Sequence, residues 1–260
     1  MPLTLSSNTT LTISPDSDAL ALRAAQAFAD AARESIAARG RFTVALGGGS
    51  TPEKTYRLLA AAPYDREVDW SRIYAFVGDE RFVPADDPRS NIGMAVRTLI
   101  SKVPIAPDHV FPVDTTLPTA TEAALAYAET LKEVFGADVT ADHGMPIFDL
   151  ILLGLGDDGH TASLFPHAKA LLESQASVVA SPPGVLPPPV ERVTLTFPAI
   201  NAARAVLFLI AGTNKAEALT DILVHDPPIA TRPAAGVIPF AGTLTFLVDE
   251  AAAAGLENKE

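Results

Sequence analysis

A doubly wound α/β fold, with a mostly parallel sheet and helices on both faces, is predicted by two features of this 260-residue chain. Short apolar, β-branched runs alternate with longer helical stretches, the pattern left by consecutive strand–helix units. Several of those runs are apolar throughout instead of alternating, as expected of strands covered on both faces.

The first helix is expected over Ala19–Arg39, and Gly40 follows its last turn, where a glycine closes helices in the left-handed conformation. Phe42–Leu46 reads as a strand. Behind it, Pro52–Ala61 reads as a helix, with Ser50 and Thr51 as possible N-caps and Pro52 in the first turn, where a missing N–H is harmless. The alternation continues with a strand at Ile73–Val77, helices at Asn91–Ser101 and Thr121–Val134, and strands at Leu150–Leu153 and Val193–Phe197. A strand at Val206–Ile210, a helix at Lys215–Leu223 and a strand at Thr243–Val248 complete the series. The uncharged tract "SPPGVLPPPV", 181–190, reads as an extended surface loop rather than a ligand for a proline-binding domain. A single sheet is expected to run through it, within a single domain over residues 1–260. No internal repeat is visible, and the terminal "AAAAGLENKE" is expected to fray after a short helix. Right-handed crossovers would bring the strand C-terminal ends to one edge, where ligands bind in such sheets.

Composition narrows the function. The absence of cysteine excludes disulfides, thiolate zinc sites and a cysteine nucleophile. The opening "MPLTLSSNTTLTIS" shows neither a basic leader nor a continuous apolar segment, so no signal peptide is expected. The runs "FDLILLGLG" and "ARAVLFLIAG" are too short to span a bilayer. A cytoplasmic protein is the expectation. A formal net charge of -12 argues against a nucleic acid or an anionic membrane as partner. It leaves room for a small phosphorylated substrate, because local cations and helix N-termini make positive pockets on acidic proteins.

Three strand-end turns carry chemistry. In "VALGGGSTPEKTYRLL", three glycines precede a helix start, so Gly48 and Gly49 free their backbone N–H groups for an anion and Ser50 and Thr51 add hydroxyl donors. The lysine of a Walker-type loop is missing. In "YAFVGDERFVPADDPRSN", Asp79, Glu80 and Arg81 stand together at a strand end, and Arg81 offers a bidentate grip on phosphate or carboxylate; a local salt-bridged loop explains them equally well.

The third turn, "GLGDDGHTAS", matches the G-x-G-x-x-G dinucleotide pattern across Gly154–Gly159. A pyrophosphate there would face Asp157 and Asp158 with no nearby cation to offset them, and no acid ends a second strand at the usual ribose-binding distance. The alternative is general-base chemistry. Asp158 lies two residues before His160, close enough to orient the imidazole at the mouth of an α/β cleft. His109, His143, His167 and His225 have no comparable setting. A fourth feature, "GTNKAEAL", puts Lys215 at a helix start, where the dipole disfavours a cation unless an anion is shared. Arg192 also stands near a strand start, with nothing local to separate it from a surface charge.

Taken in order, "GGGSTP", "GDERFVP" with Ser90-Asn91 downstream, "GLGDDGHTASLFP", "RVTLTFPAIN" and "GTNKAEAL" resemble the 6-phosphogluconolactonase family, over about Leu46 to Leu219. That family shares a wider group with glucosamine-6-phosphate deaminases and isomerases. The resemblance implies a Rossmann-like fold and a hydrolase of a sugar phosphate lactone in the pentose phosphate pathway, with no metal and no cofactor. By position it implies that His160 activates water, that Asp158 supports it, and that Arg81 and Lys215 hold the phosphate with the Gly48–Thr51 loop. Asp79 matches a proton-transfer acid of the deaminases and would contact substrate hydroxyls here. The deaminases carry a further acid shortly after the histidine, whereas Thr161–Pro166 contains none. A non-catalytic sugar-phosphate sensor is a third reading, disfavoured because this acidic chain has no room for a DNA-binding segment. A monomer or weak homodimer is expected.

Overall fold

The computed structural model describes residues 5–141, 144–183 and 189–256. His143, the centre of the Pro-rich tract and the last four residues of the expected frayed end lie outside them. In chain order the strands are β1 (Thr9–Ser14), β2 (Phe42–Leu46), β3 (Ile73–Val77), β4 (Asp79–Arg81), β5 (Leu150–Leu153), β6 (Val178–Ser181), β7 (Arg192–Leu195), β8 (Ala205–Ile210) and β9 (Thr243–Asp249). The helices are α1 (Ser17–Arg39), α2 (Ser50–Leu59), α3 (Tyr64–Glu67), α4 (Asn91–Thr98), α5 (Ala120–Phe135), α6 (Phe197–Asn201), α7 (Ala216–Thr220) and α8 (Glu250–Ala253).

Six strands form one sheet in the order β3-β2-β5-β8-β9-β1, every neighbouring pair parallel. The expected doubly wound architecture follows from side-chain alternation. Phe42, Val44, Leu46, Leu150, Leu152, Leu207 and Leu209 pack on one face beneath α1 and α2. Ala45, Ile151, Leu153, Val206, Phe208 and Ile210 pack on the other beneath α5, α6, α7 and α8. Uniformly apolar strands result. Helix α1 begins where the Asp16 carboxylate accepts the N–H groups of Asp18 and Ala19, and ends at Gly40 with φ +76°.

The single-sheet expectation does not hold. At Gly78 the chain leaves the parallel sheet: its N–H donates to Leu46 O (3.0 Å), while its own carbonyl accepts from Leu195 N (2.9 Å). A second, antiparallel sheet follows, in the order β4-β7-β6. Arg192–Leu195 belongs to it, and Phe197 opens α6 instead of ending a strand. The Pro-rich tract thus joins two strands of the small sheet. Other departures are local. Ser50 and Thr51 are the first residues of α2 rather than its caps, and no side chain caps that helix. In place of the single helix expected at Lys215–Leu223, a 3₁₀ turn at Thr213–Lys215 leads into α7 and then a wider π turn at Asp221–His225.

The order reverses between β2 and β5: β3 continues outward from β2, whereas β5 lies on its other side. A crevice opens there beyond the strand ends. Glu80 holds its rim. The carboxylate is fully buried and accepts N–H groups from Arg81 (2.7 Å), Asn91 (2.7 Å) and Ile92 (2.8 Å) and the Ser90 hydroxyl (3.1 Å). Burial raises its pKa, with the three N–H groups opposing the shift. It ties the start of α4 to β4. Glu80→Gln should destabilise the protein by about 2–4 kcal/mol, because an NH2 would face donors inside the protein. Urea unfolding checks this, and a change below about 0.5 kcal/mol, typical of an uncoupled surface position, would contradict the anchoring role.

Candidate active site

Each strand end at the crevice delivers a turn. After β5 the chain folds back so that Gly156 N donates to His160 O (2.8 Å) and Gly159 N to Gly156 O (3.0 Å). Within this turn Asp158 Oδ1 accepts the His160 backbone N–H (3.0 Å) and pairs with His160 Nδ1 at 2.5 Å. Burial pushes the Asp158 carboxyl up, but the hydrogen bonds from the His160 ring and backbone outweigh it and hold it below its usual value. An ionised carboxylate only accepts, so in the neutral ring the proton sits on Nδ1 and the lone pair on Nε2. A Cβ on Gly156 would lie 2.0 Å from His160 Nδ1 and 2.6 Å from Asp158 Oδ1, so only glycine permits the pair. Phe165 flanks the ring, with centroids 4.7 Å apart.

His160 lines a cavity of about 260 Å³ together with Gly47–Gly49, Asp79, Arg81, Asn91, Leu152–Gly156, Ala162 and Lys215. A neighbouring cavity of about 270 Å³ shares Gly48, Gly49, Gly154, Leu155 and Lys215 with it and extends past Ser50 and Thr51. All nine residues marked in the sequence meet at this edge, except that Asp158 stands behind His160 and not in the cavity wall. His109 stacks on Tyr74 (3.9 Å) and His225 pairs with Asp221 (3.1 Å). His167 takes φ +59° in a loop whose N–H reaches Ala230 O.

At the β2 end, Gly49 turns with φ +107° into α2, whose uncapped N-terminus faces the cavity. Backbone N–H groups and the helix dipole make this an anion-compatible surface. At the β3–β4 end, Asp79 Oδ2 accepts from Ser163 Oγ (2.6 Å), and Asn91 Nδ2 donates to the Asp79 carbonyl (2.8 Å) and Oδ1 (3.3 Å). Asp79 therefore links α4 to the histidine turn. Arg81 donates Nη1 to Arg89 O (2.6 Å), leaving its buried Nε unpartnered among the described residues.

At the β8 end, Lys215 contacts Asp157 Oδ1, which also accepts from Asn214 Nδ2 (2.9 Å). The expectation that no cation stands near the paired aspartates is thereby overturned. Lys215 is distant in sequence but adjacent in space, and Asp157 supplies the anion its helix-start position demands. Arg232 braces the same turn from outside: Nη1 donates to the Asp157 carbonyl (3.5 Å) while Nε and Nη2 are held by Asp221 Oδ2 (2.7 Å) and Glu217 Oε1 (2.9 Å), and Ala234 N donates to Gly159 O (2.9 Å).

Sequence reasoning missed Asn91 as a cavity residue, with its buried Oδ1 unpartnered among the described residues, although the Ser90-Asn91 pair had been noted. Ser163 and the left-handed Ala162 (φ +48°) carried no signal short of the fold. Among the described residues no group of three or more His, Cys, Asp or Glu side chains could hold a metal, and no helix is long and apolar enough to cross a membrane.

The chain that builds this site is similar along most of its length to known proteins. The model of the glucosamine-6-phosphate isomerase/6-phosphogluconolactonase family matches residues 15–246. A 6-phosphogluconolactonase of Mycobacterium tuberculosis is 38% identical over 96% of this chain and 100% of its own length. One of Rattus norvegicus is 42% identical over 83% of this chain and 80% of its own. The structure of 6-phosphogluconolactonase from Trypanosoma cruzi superposes with a TM-score of 0.86 at 31% identity, covering 99% of this chain and 98% of that one. By sequence along nearly its whole length, and by the fold that sequence builds, the chain belongs to the glucosamine-6-phosphate isomerase/6-phosphogluconolactonase family.

Proposed function

We propose that this chain hydrolyses 6-phospho-D-glucono-1,5-lactone to 6-phospho-D-gluconate, a carboxylic ester hydrolysis of the oxidative pentose phosphate pathway. The observation that carries the reading is a histidine locked by an aspartate, Nδ1 to Oδ1 at 2.5 Å, in the wall of a cleft that also holds Arg81 and Lys215. Full-length relatives named for this activity support it.

In this mechanism His160 Nε2 takes a proton from water as the water oxygen attacks C1. The carbonyl electrons move onto its oxygen, which backbone N–H groups of a glycine turn stabilise. Collapse of the tetrahedral intermediate breaks the bond from C1 to the ring oxygen, and the imidazolium returns its proton to that oxygen. Positioned acid–base catalysis of this type is worth about 10²–10⁴-fold. Asp158 touches only the far side of the ring, fixing its tautomer and charge balance. Asp79, anchored by Ser163 and Asn91, accepts from substrate hydroxyls. The Gly48–Thr51 loop, Arg81 and Lys215 receive the phosphate, and binding at C6 places C1 against the water. Lys215 exchanges Asp157 for the phosphate as it does so. No carboxylate occurs in Thr161–Pro166 to open a sugar ring, which separates this site from a deaminase. The same reading makes the protein a cofactor-free, cytoplasmic monomer or weak homodimer.

Coupled assays on freshly generated lactone test the roles. His160→Ala should lower kcat by at least about 10²-fold while the dissociation constant for 6-phosphogluconate stays within about threefold; undiminished turnover would remove the base. Gly156→Ala should cost about 10²-fold in kcat with the circular dichroism spectrum retained, since its Cβ displaces the imidazole. Lys215→Ala should raise KM for the phosphorylated lactone far more than for plain gluconolactone. Equal effects on the two substrates would exclude a phosphate contact.

A further inference from the structure

Arg192 is a buried cation without a partner. The residue is 7% exposed, its Nε is sealed from solvent, and no hydrogen bond or ion pair satisfies the side chain among the described residues. Across the β4–β7 ladder it lies opposite Arg81, and Thr194 lies opposite Asp79. Residues directly opposite in an antiparallel pair share a face. That face is the one turned to the histidine turn: Asp79 accepts from Ser163 Oγ, and Thr194 Oγ1 accepts from Ser163 N (3.2 Å). Glu80 and Val193 occupy the opposite face, where Glu80 is spent on α4.

Two arginines directly opposite each other repel, and a buried guanidinium lacking an anion is costly. Burial, and then Arg81, depress the Arg192 pKa, with Asp79 and Glu80 acting against the shift. Neither carboxylate accepts a hydrogen bond from Arg192 among the described residues: Asp79 holds Asn91 and Ser163, and Glu80 holds the start of α4. Arg89 adds to the excess: its Nε and Nη2 hold Asp87, while its buried Nη1 is also unpartnered. Lys215, by contrast, already has Asp157 as counter-ion.

We propose that Arg192, paired with Arg81 on the cleft-facing side of the small sheet, is a phosphate-binding residue: the two guanidinium groups form the seat that takes the substrate's phosphoryl group and sets the preference for phosphorylated lactones. The sugar-phosphate identity of the ligand rests on the function proposed above; the seat itself rests on two facing arginines that lack an anion, each with a buried Nε unpartnered among the described residues. A dianionic phosphate supplies acceptors for both forks at once, which a neutral sugar cannot.

Arg192→Met keeps length and apolar contact but removes the charge, and Arg192→Lys keeps the charge without the fork. The free Arg192→Met protein should melt at or above the wild-type temperature, because an unpaired buried charge has gone. The rise in Tm that inorganic phosphate gives the wild type should vanish. KM for the phosphorylated lactone should rise about 10- to 100-fold, with kcat/KM for plain gluconolactone within about twofold, and Arg192→Lys should fall between. A lowered Tm with the phosphate response intact would mean a structural role and overturn the proposal. So would equal losses on both lactones, or gluconate protecting the wild type as well as phosphate does, which would mark a carboxylate seat. If Arg192→Met does not fold, an undiminished phosphate response in Arg192→Lys overturns it equally. A wild type that lacks lactonase activity yet loses its phosphate response on Arg192 substitution would sink the lactonase reading and leave the seat standing.

Discussion

The hydrogen bond between His160 Nδ1 and Asp158 Oδ1 is the contact on which the rest of the site depends. It decides which ring nitrogen keeps a lone pair, and the turn around it decides where that lone pair points. A two-residue separation makes the pair possible only because the chain doubles back tightly, with Gly156 leaving the space a methyl group would take. The turn is held from both sides: Asp79 grips Ser163 from within the cleft, and Arg232 Nη1, on the Asp157 carbonyl, braces it from outside together with Ala234. In the proposed mechanism, an imidazole held this way needs no reorientation to begin the reaction.

Charge balance organises the other walls. The protein is strongly acidic overall, yet the cleft wall gathers Arg81 and Lys215 from different strand ends, and Arg192 lies across the small sheet from Arg81. These cations are not equivalent. Lys215 rests on Asp157, a neighbour of the Asp158–His160 pair, so in the proposed mechanism phosphate arriving at Lys215 also loosens a contact of the histidine turn. Arg81 and Arg192 face each other without an anion between them. Unpaired buried charge lowers stability in the free protein, and that cost is recovered when a ligand fills the position.

Strands β2, β3 and β5 were legible to the residue because they are apolar on both faces, a pattern that no local competitor imitates. Strand β4 was not, since Asp79-Glu80-Arg81 has no hydrophobic period and pairs only because β7 arrives beside it. Edge strand β1, rich in threonine, gave a similarly weak signal. The histidine turn, the glycine loop and the GDER segment were visible because charges and glycines at strand ends are unusual wherever they occur. Arg192 and the Lys215–Asp157 contact were not, because each is defined by a residue far away in sequence. Register across the small sheet identifies the first, and the meeting of the β5 and β8 ends identifies the second.

The proposed mechanism turns on the location of a single proton. Nitrogen-15 NMR of histidine-labelled protein, with the His160 signals assigned by their loss in a substituted chain, reads it directly. In the neutral ring the proton should sit on Nδ1 and Nε2 should show the unprotonated shift. An Nε2–H tautomer would leave no lone pair to take water's proton and would contradict the mechanism.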